Sequence, residues 1–563
     1  MSFTVFYEEE GYSIDLPKLM GRNAAGASFL RGLFRHSKTQ DFSCLVRNEA
    51  AATTFKELLY SIRIDARNDI VRWAGLEDLA RHGGLFYPGP EISAPAHHRL
   101  STCREHDSWA LCGITHTTAS AGAMDSIASW VTSPVQPWDA VICTSNAVKK
   151  NVEIVLQAQV DSLRERLGIT KIVLPLLPVI PLGINTDEFA YSASQRNAAR
   201  TQLSADEDTL VVLYVGRLSF HAKAHPLAMY QALERAAKVA EKDVILVECG
   251  WHANDYIKDA FSAGAALACP SVKVVTLDGR VASHRDTAWA AADVFCSLSD
   301  NIQETFGIVP LEAMAAGLPV IVSDWDGYKD TVRHGVDGFR IPTLAPQPGL
   351  AGDLAHRHAL GLDSYDMYCG HSSSLVAVHP EALTEAFVQL FQSSALRKKM
   401  GASGRRRAIE DYDWQAIIPR YEALWEEQTK IRLSARSARE QNVASGAKPQ
   451  PAPIWAARLD PTVAFANYPT QQLRPSTQLT FAEPSAEAAL SKLASYNSLS
   501  MVNYASFVSP TDGELKSVLT SAEQHFPNSC AAEDLLKDID PKRRPYVLRG
   551  LAWLCKLGLF TFA

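Results

Sequence analysis

The chain has 563 residues, 47% hydrophobic and 21% charged, with a formal net charge of −7. That length exceeds one hydrophobic core, so about three domains of roughly 100–200 residues each are expected. The composition is that of a globular protein, and the acidic balance without a long run of like charge weighs against a dedicated nucleic-acid binder.

The N-terminus, Met1-Ser-Phe-Thr-Val-Phe-Tyr-Glu-Glu-Glu10, lacks the basic start and apolar core of a signal peptide. No stretch reaches the ~18 uninterrupted apolar residues of a membrane span. The ten cysteines are scattered, form no C-x-x-C pair and mostly sit in strand-like runs, as Cys143 does in Ala-Val-Ile-Cys-Thr. They read as reduced core thiols, in keeping with a cytoplasmic protein, with peripheral attachment to a membrane left open.

Residues 1–193 alternate short apolar runs with helical patterns. The expected strands are Phe3–Tyr7, Phe42–Val46, Gly84–Tyr87, Trp109–Thr115, Ala140–Thr144 and Ile172–Leu177. Strands separated by helices signal a parallel α/β sheet. Pro95-Ala-His97-His98-Arg99 is read as a loop facing a substrate. The crossing Leu174-Pro-Leu-Leu-Pro-Val-Ile-Pro-Leu-Gly183-Ile-Asn185 leads into a second series over residues 194–428: Leu210–Gly216, Val244–Glu248, Val272–Leu277, Val294–Ser297 and Val320–Ser323. A closing amphipathic helix is expected over Trp414–Gln428. Residues 429–475 shift to Ser, Arg, Gln, Ala and Pro and read as a linker. In residues 476–563, helical faces around Leu515, Leu535 and Leu551 precede the strand Gly558–Phe562, an order that resembles a winged helix. Lys542-Arg543-Arg544 reads as a solvated face, so this part is expected to make protein contacts or oligomerise, with no nucleic acid as partner.

The stretch Glu304-Thr-Phe-Gly-Ile-Val-Pro-Leu-Glu312 carries the most chemistry. Two carboxylates flank a Phe-Gly turn and the start of a short apolar helix that Gly317 and Pro319 end. A helix start at the carboxyl edge of a sheet presents backbone N–H groups suited to phosphate. Carboxylates beside such a site call for another ligand, and sugar hydroxyls fit. Gly216-Arg217-Leu-Ser-Phe-His-Ala-Lys223 follows the first strand of the second series. There Arg217 and Lys223 can reach a diphosphate, although two solvated basic residues remain the alternative. His116 ends a strand of the first series at its carboxyl edge, where a structural role is the alternative.

Together these residues resemble the nucleotide-sugar glycosyltransferases of glycosyltransferase family 4, which have the GT-B fold and retain anomeric configuration. The resemblance covers roughly residues 1–428. It is strongest from Leu210 to Thr343, including Asp324-Trp-Asp-Gly327-Tyr-Lys-Asp330 and His334-Gly-Val-Asp-Gly338-Phe. It implies an α/β fold class: two Rossmann-like doubly wound domains facing a cleft, here with a small, mostly helical C-terminal domain outside the family core.

The resemblance implies that Arg217 and Lys223 bind the donor diphosphate beside Gly216, and that Glu312 holds the ribose. Glu304 with Thr305, Phe306, Gly307 and Ile308 would bind the donor sugar, and His116 would meet it from the opposite domain. The family's N-terminal glycine loop matches Met20-Gly21-Arg22-Asn23-Ala-Ala-Gly26, toward the acceptor and the phosphates. The sequence departs from the family in having Lys223-Ala224 where Lys-Gly is usual, and in lacking a Gly-Gly pair in the early loop. The expected activity is retaining transfer of a hexose-type sugar from a UDP- or GDP-linked donor to a hydroxyl acceptor (glycan, lipid-linked or small molecule), without metal or other cofactor. A degenerate scaffold and a nucleotide-sugar epimerase are the alternatives.

Overall fold

The computed structural model describes residues 3–13, 21–445 and 455–562, with only the backbone described at Gly21 and Arg22. The chain divides into two units, Met1–Ala456 and Ala457–Ala563.

The first unit holds two six-stranded sheets. One comprises β1 (Thr4–Phe6), β2 (Asp41–Val46), β3 (Arg67–Arg72), β4 (Gly84–Phe86), β5 (Ala110–Ile114) and β6 (Ala140–Ile142). The other comprises β7 (Leu210–Val215), β8 (Val244–Gly250), β9 (Lys273–Asp278), β10 (Val294–Ser297), β11 (Val320–Ser323) and β12 (Gly338–Ile341). Their spatial orders are β3-β2-β1-β4-β5-β6 and β12-β11-β10-β7-β8-β9. Every pairing in both is parallel. These are two doubly wound, Rossmann-like sheets, and in each the strand order reverses once, between β1 and β4 and between β7 and β10. Parallel strands covered by helices on both faces need apolar side chains on both, which is why β7 (Leu-Val-Val-Leu-Tyr-Val) and β10 (Val-Phe-Cys-Ser) are continuous apolar runs. The cysteines are free thiols, buried except Cys103 and Cys555.

Three expectations for the first unit need correction. Ile172–Leu177 is not a strand. It meets β6 only through isolated bridges, Ala140 with Leu176 and Cys143 with Val179, because Pro175 and Pro178 have no N–H to continue a ladder. Pro95–Arg99 is not a loop but part of the helix Ser93–Cys103. Arg99 is fully buried there in a two-bond pair with Asp139 at 2.8 Å each. Residues 429–444 are not a linker but continue the helix Trp414–Ala444, which anchors on the first sheet's domain. The Gln428 amide donates to the carbonyls of Leu111 (2.7 Å) and Trp138 (2.9 Å). Arg432 donates to the Asp107 carbonyl (2.9 Å), and Arg439 to the Asp107 carboxylate (2.8 Å). Ile431 and Ala435 add apolar contacts to these polar anchors, too few for apolar periodicity to reveal the extension.

A short pair, β13 (Thr343–Leu344) with β14 (Ala377–Val378), lies outside the main sheets. In the second unit, β15 (Gln478–Phe481), β16 (Ser529–Ala531) and β17 (Phe560–Phe562) form an antiparallel sheet in the order β16-β15-β17. The helices Ala486–Asn497, Asp512–Glu523 and Arg544–Lys556 complete a core around Leu479, Leu515, Leu519 and Leu551. The face expected around Leu535 is a short 3-10 turn, Asp534–Leu536, instead of a full helix. Arg543 pairs with Glu514 at 2.7 Å, and Arg544 donates to the carbonyls of Ile539 and Lys537 at 3.0 Å each. Among the described residues, no helix is long and apolar enough to cross a membrane.

Candidate functional site

The loops after β7 and β10 leave the second sheet where its strand order reverses, the position at which open α/β sheets hold ligands. Gly216 continues β7 by donating to the Cys249 carbonyl (3.0 Å), and Leu218 donates to that of Trp251 (3.0 Å). The chain then folds back over residues 219–225 before the helix Leu227–Ala240. Arg217 Nη2 donates to the Ala222 carbonyl (2.8 Å) and to Gln303 Oε1 (3.2 Å). Lys223 Nζ meets Glu304 Oε2 at 2.5 Å. Arg217 and Lys223 therefore come from the β7 loop, and their partners from the β10 loop.

The Glu304 side chain is only 10% exposed. Burial opposes its ionisation, but Lys223 and the backbone N–H groups of Thr305 and Phe306 outweigh that and hold its pKa below the ordinary carboxylate value. Gly307 precedes the helix Ile308–Ala315 with φ of 80°, and a side chain there would collide with the Tyr328 ring. The loop thus turns sharply and delivers the first N–H groups of that helix, which have no acceptor in a preceding turn, to the sheet edge. One helical face further on, Glu312 is half-buried. Burial, with the charge of Glu188 adding and Arg285 opposing, pushes its pKa up to about 7.

The first sheet's domain meets this loop directly. His116 lies just past β5, and its carbonyl accepts a hydrogen bond from Thr305 Oγ1 (3.1 Å). Ser145, which caps the helix Asn146–Leu167, donates to the Thr305 carbonyl (2.9 Å) and contacts Asp326 Oδ1 (3.2 Å). The Asn146 backbone N–H donates to Asp330 (2.7 Å). Asp326 sits at φ of 40°, and burial, with Glu304 nearby, pushes its pKa up to about 8. Gly327, next in the chain, lies against the Phe306 backbone too closely to admit a Cβ.

Gly216, Arg217, Lys223, Glu304, Thr305, Phe306, Gly307, Ile308 and Glu312 thus lie on two adjacent loops and one helix, with His116 opposite. The N-terminal loop is a different matter. Met20 lies outside the described residues, as does the side chain of Arg22. Asn23 is buried and donates to the Glu10 carbonyl (2.5 Å), and Gly26 packs against the Gly11 backbone. Both hold the Glu9–Tyr12 turn. Sequence reasoning did not single out Ser145, Asn146, Asn301 or Gln303. The capping serine of Thr-Ser-Asn was the one local signal available for any of them. No group of three or more His, Cys, Asp or Glu side chains that could hold a metal ion occurs among the described residues.

Two cations, a helix start and an ionised, partly desolvated carboxylate therefore lie together on loops that touch the opposite domain through Thr305, Asp326 and Asp330. The cations and the helix start suit an anion with two phosphates, and the carboxylates suit hydroxyls.

Residues 195–347 match the family model described as Glycosyl transferases group 1. The chain is 31% identical over 153 residues to a phosphatidyl-myo-inositol mannosyltransferase of Mycobacterium leprae, an alignment covering 26% of this chain and 31% of that protein. It is 34% identical over 185 residues to a D-inositol 3-phosphate glycosyltransferase of Geodermatophilus obscurus, covering 30% and 37%. The chain thus spans about a third of the length of these curated relatives. Among solved structures, Anabaena Alr3699/HepE in complex with UDP aligns over 75% of this chain and 99% of its own, at 16% identity and a TM-score of 0.48.

Proposed function

We propose that this protein is a retaining glycosyltransferase of the GT-B type. It moves a hexose-type sugar from a nucleotide-diphosphate donor, UDP- or GDP-linked, to a hydroxyl acceptor. One observation carries the reading: Arg217, Lys223 and Glu304 converge at the strand-order reversal of the second sheet, inside the segment that matches the glycosyltransferase model, and Thr305 touches His116 of the other domain.

Breaking a sugar–diphosphate bond leaves negative charge on the departing phosphate and positive charge on the sugar ring. Arg217, Lys223 and the start of the Ile308–Ala315 helix answer the first charge, in a partly desolvated site where preorganised electrostatics count most. Glu304, kept ionised by Lys223, faces the sugar as a hydroxyl acceptor and a compensating charge. Lys223 has three N–H donors and can serve Glu304 and a phosphate oxygen together. Glu312, with a pKa near 7, can both donate to and accept from ribose hydroxyls. Glu304 is tied to Lys223 and to two backbone N–H groups and is a poor nucleophile. Retention then runs through same-face attack, with the leaving phosphate taking the acceptor proton. The two cations supply the countercharge to the diphosphate, so the reaction as proposed needs no metal.

A thermal-shift screen over UDP-glucose, UDP-N-acetylglucosamine and GDP-mannose tests this reading, because a ligand of the native state raises the melting point by mass action. At least one should do so, by about 2.7 kcal/mol of added stability at one hundred times its Kd. No shift with any of them at millimolar concentration would overturn the reading.

A further inference from the structure

The five residues Asp300-Asn-Ile-Gln-Glu304 brace the loop that carries both cations. Asn301, 1% exposed, donates from Nδ2 to the His221 carbonyl (3.0 Å) and accepts through Oδ1 from the Gln303 backbone N–H (2.9 Å). Its own carbonyl accepts from Trp325 Nε1 (3.1 Å) and from the Glu304 N–H (3.2 Å). Gln303 Oε1 accepts from Arg217 Nη2 at 3.2 Å, and that nitrogen's other bond runs to the Ala222 carbonyl at 2.8 Å. Glu304 takes Lys223. Asn301, Gln303 and Glu304 therefore set three points of the 217–223 segment, at His221, Arg217 and Lys223.

The partners differ in a telling way. A guanidinium has five N–H donors in a fixed fork. Two bonds from Nη2, one to a backbone carbonyl and one to a side-chain amide, fix its plane and leave its full charge uncompensated. Its Nε and Nη1 hydrogens have no acceptor among the described residues. A carboxylate at position 303 would orient the fork equally well but would neutralise it.

On the functional reading above, we propose that Gln303, backed by Asn301, is a positioning residue. It holds the Arg217 fork ready for a diphosphate and sets diphosphate affinity without touching the nucleotide.

The test is calorimetry on the full chain with UDP and UMP or GDP and GMP, whichever pair the wild type binds, in Gln303→Met, Gln303→Glu and, as control, Arg217→Ala. Melting curves establish that each variant is folded. Gln303→Met removes one oriented hydrogen bond and should weaken the diphosphate about fivefold while changing the monophosphate less than twofold. Gln303→Glu keeps the hydrogen bond but supplies a competing charge, so it should weaken the diphosphate more than Gln303→Met does, and the excess should shrink at high salt. If Arg217→Ala weakens the diphosphate and both Gln303 variants leave it unchanged, the positioning role is refuted and the functional reading stands. Equal weakening of diphosphate and monophosphate would also refute it, marking Gln303 as structural only. If Arg217→Ala itself has no effect, the diphosphate site is misplaced and both ideas fall.

Discussion

The Lys223–Glu304 pair makes an unusual demand on its two variants. At 2.5 Å, with Lys223 28% and Glu304 10% exposed, the pair is partly desolvated, and each member is assigned to a different part of the donor. On the proposed assignment, Lys223→Ala removes a charge-assisted hydrogen bond to phosphate, worth about 1.5–3 kcal/mol. At about 1.4 kcal/mol per tenfold, that is roughly a 10- to 150-fold loss of nucleoside diphosphate affinity. Glu304→Gln removes a negative charge beside the anion site and leaves Lys223 undivided. The diphosphate, which lacks the sugar, should then bind as tightly as before or tighter, while turnover of the nucleotide sugar falls about 10²- to 10³-fold, the scale of losing one electrostatic stabiliser. Lys223→Ala should cost more stability than Glu304→Gln, because it leaves the buried Glu304 carboxylate without its counter-charge, whereas Glu304→Gln leaves the more exposed Lys223. Calorimetry with UDP and GDP, steady-state kinetics and melting curves read the three effects. If Glu304→Gln weakens the diphosphate as much as Lys223→Ala does, the division of roles is wrong and the pair acts as one structural unit.

Three further outcomes follow from the geometry. If Glu312 holds the ribose as proposed, Glu312→Ala should weaken nucleoside monophosphate and diphosphate alike, by about tenfold; an effect confined to the diphosphate would contradict the assignment. Asp330→Asn weakens the bond to the Asn146 N–H at the start of a 22-residue helix in the opposite domain. It should loosen the contact between the two sheets' domains, measured as a larger radius of gyration by X-ray scattering, and leave nucleotide affinity within about twofold. The unliganded protein should lose stability as pH rises from about 6.5 to 8. Burial raises Glu248, Asp300 and Glu312 to about 7 and Asp326 to about 8, so the folded state holds protons that the unfolded state has already released. Stability therefore falls with pH by at most about 1.4 kcal/mol per unit for each carboxyl. Below about 6.5 the histidines with lowered pKa, among them His98 and His106, pull the other way, which confines the clean window to the range above. A melting temperature that rises between pH 6.5 and 8 would contradict this.

Much of the fold could be read from the sequence, because parallel strands covered on both faces announce themselves as apolar runs. The exceptions have physical causes. β3 is a polar edge strand, Arg-Asn-Asp-Ile-Val-Arg, with Arg67, Asp69 and Arg72 exposed, so no apolar run marks it. The extension of the Trp414–Ala444 helix is held by Gln428, Arg432 and Arg439, whose anchoring groups are carbonyls and one aspartate far away in the chain. In the site, Glu304, Glu312, Arg217 and Lys223 stood out because charged residues at the end of apolar strands are conspicuous. Gln303 and Asn301 did not, since amides in a loop look like any other loop residues until the partner loop is in place. Ser145 meets Asp326 across 181 positions of chain, and Asn146 meets Asp330 across 184, through contacts that only the assembled pair of sheets creates.

The decisive question is whether a sugar leaves its nucleotide here with its configuration kept. Proton NMR of the nucleotide sugar that binds, followed over time with the full chain and glycerol as a surrogate hydroxyl acceptor, reads this directly. The expected result is free nucleoside diphosphate appearing together with a glycoside of the same anomeric configuration as the donor, with both signals lost in Glu304→Gln. A glycoside of inverted configuration, or an epimer still attached to its nucleotide, would contradict it.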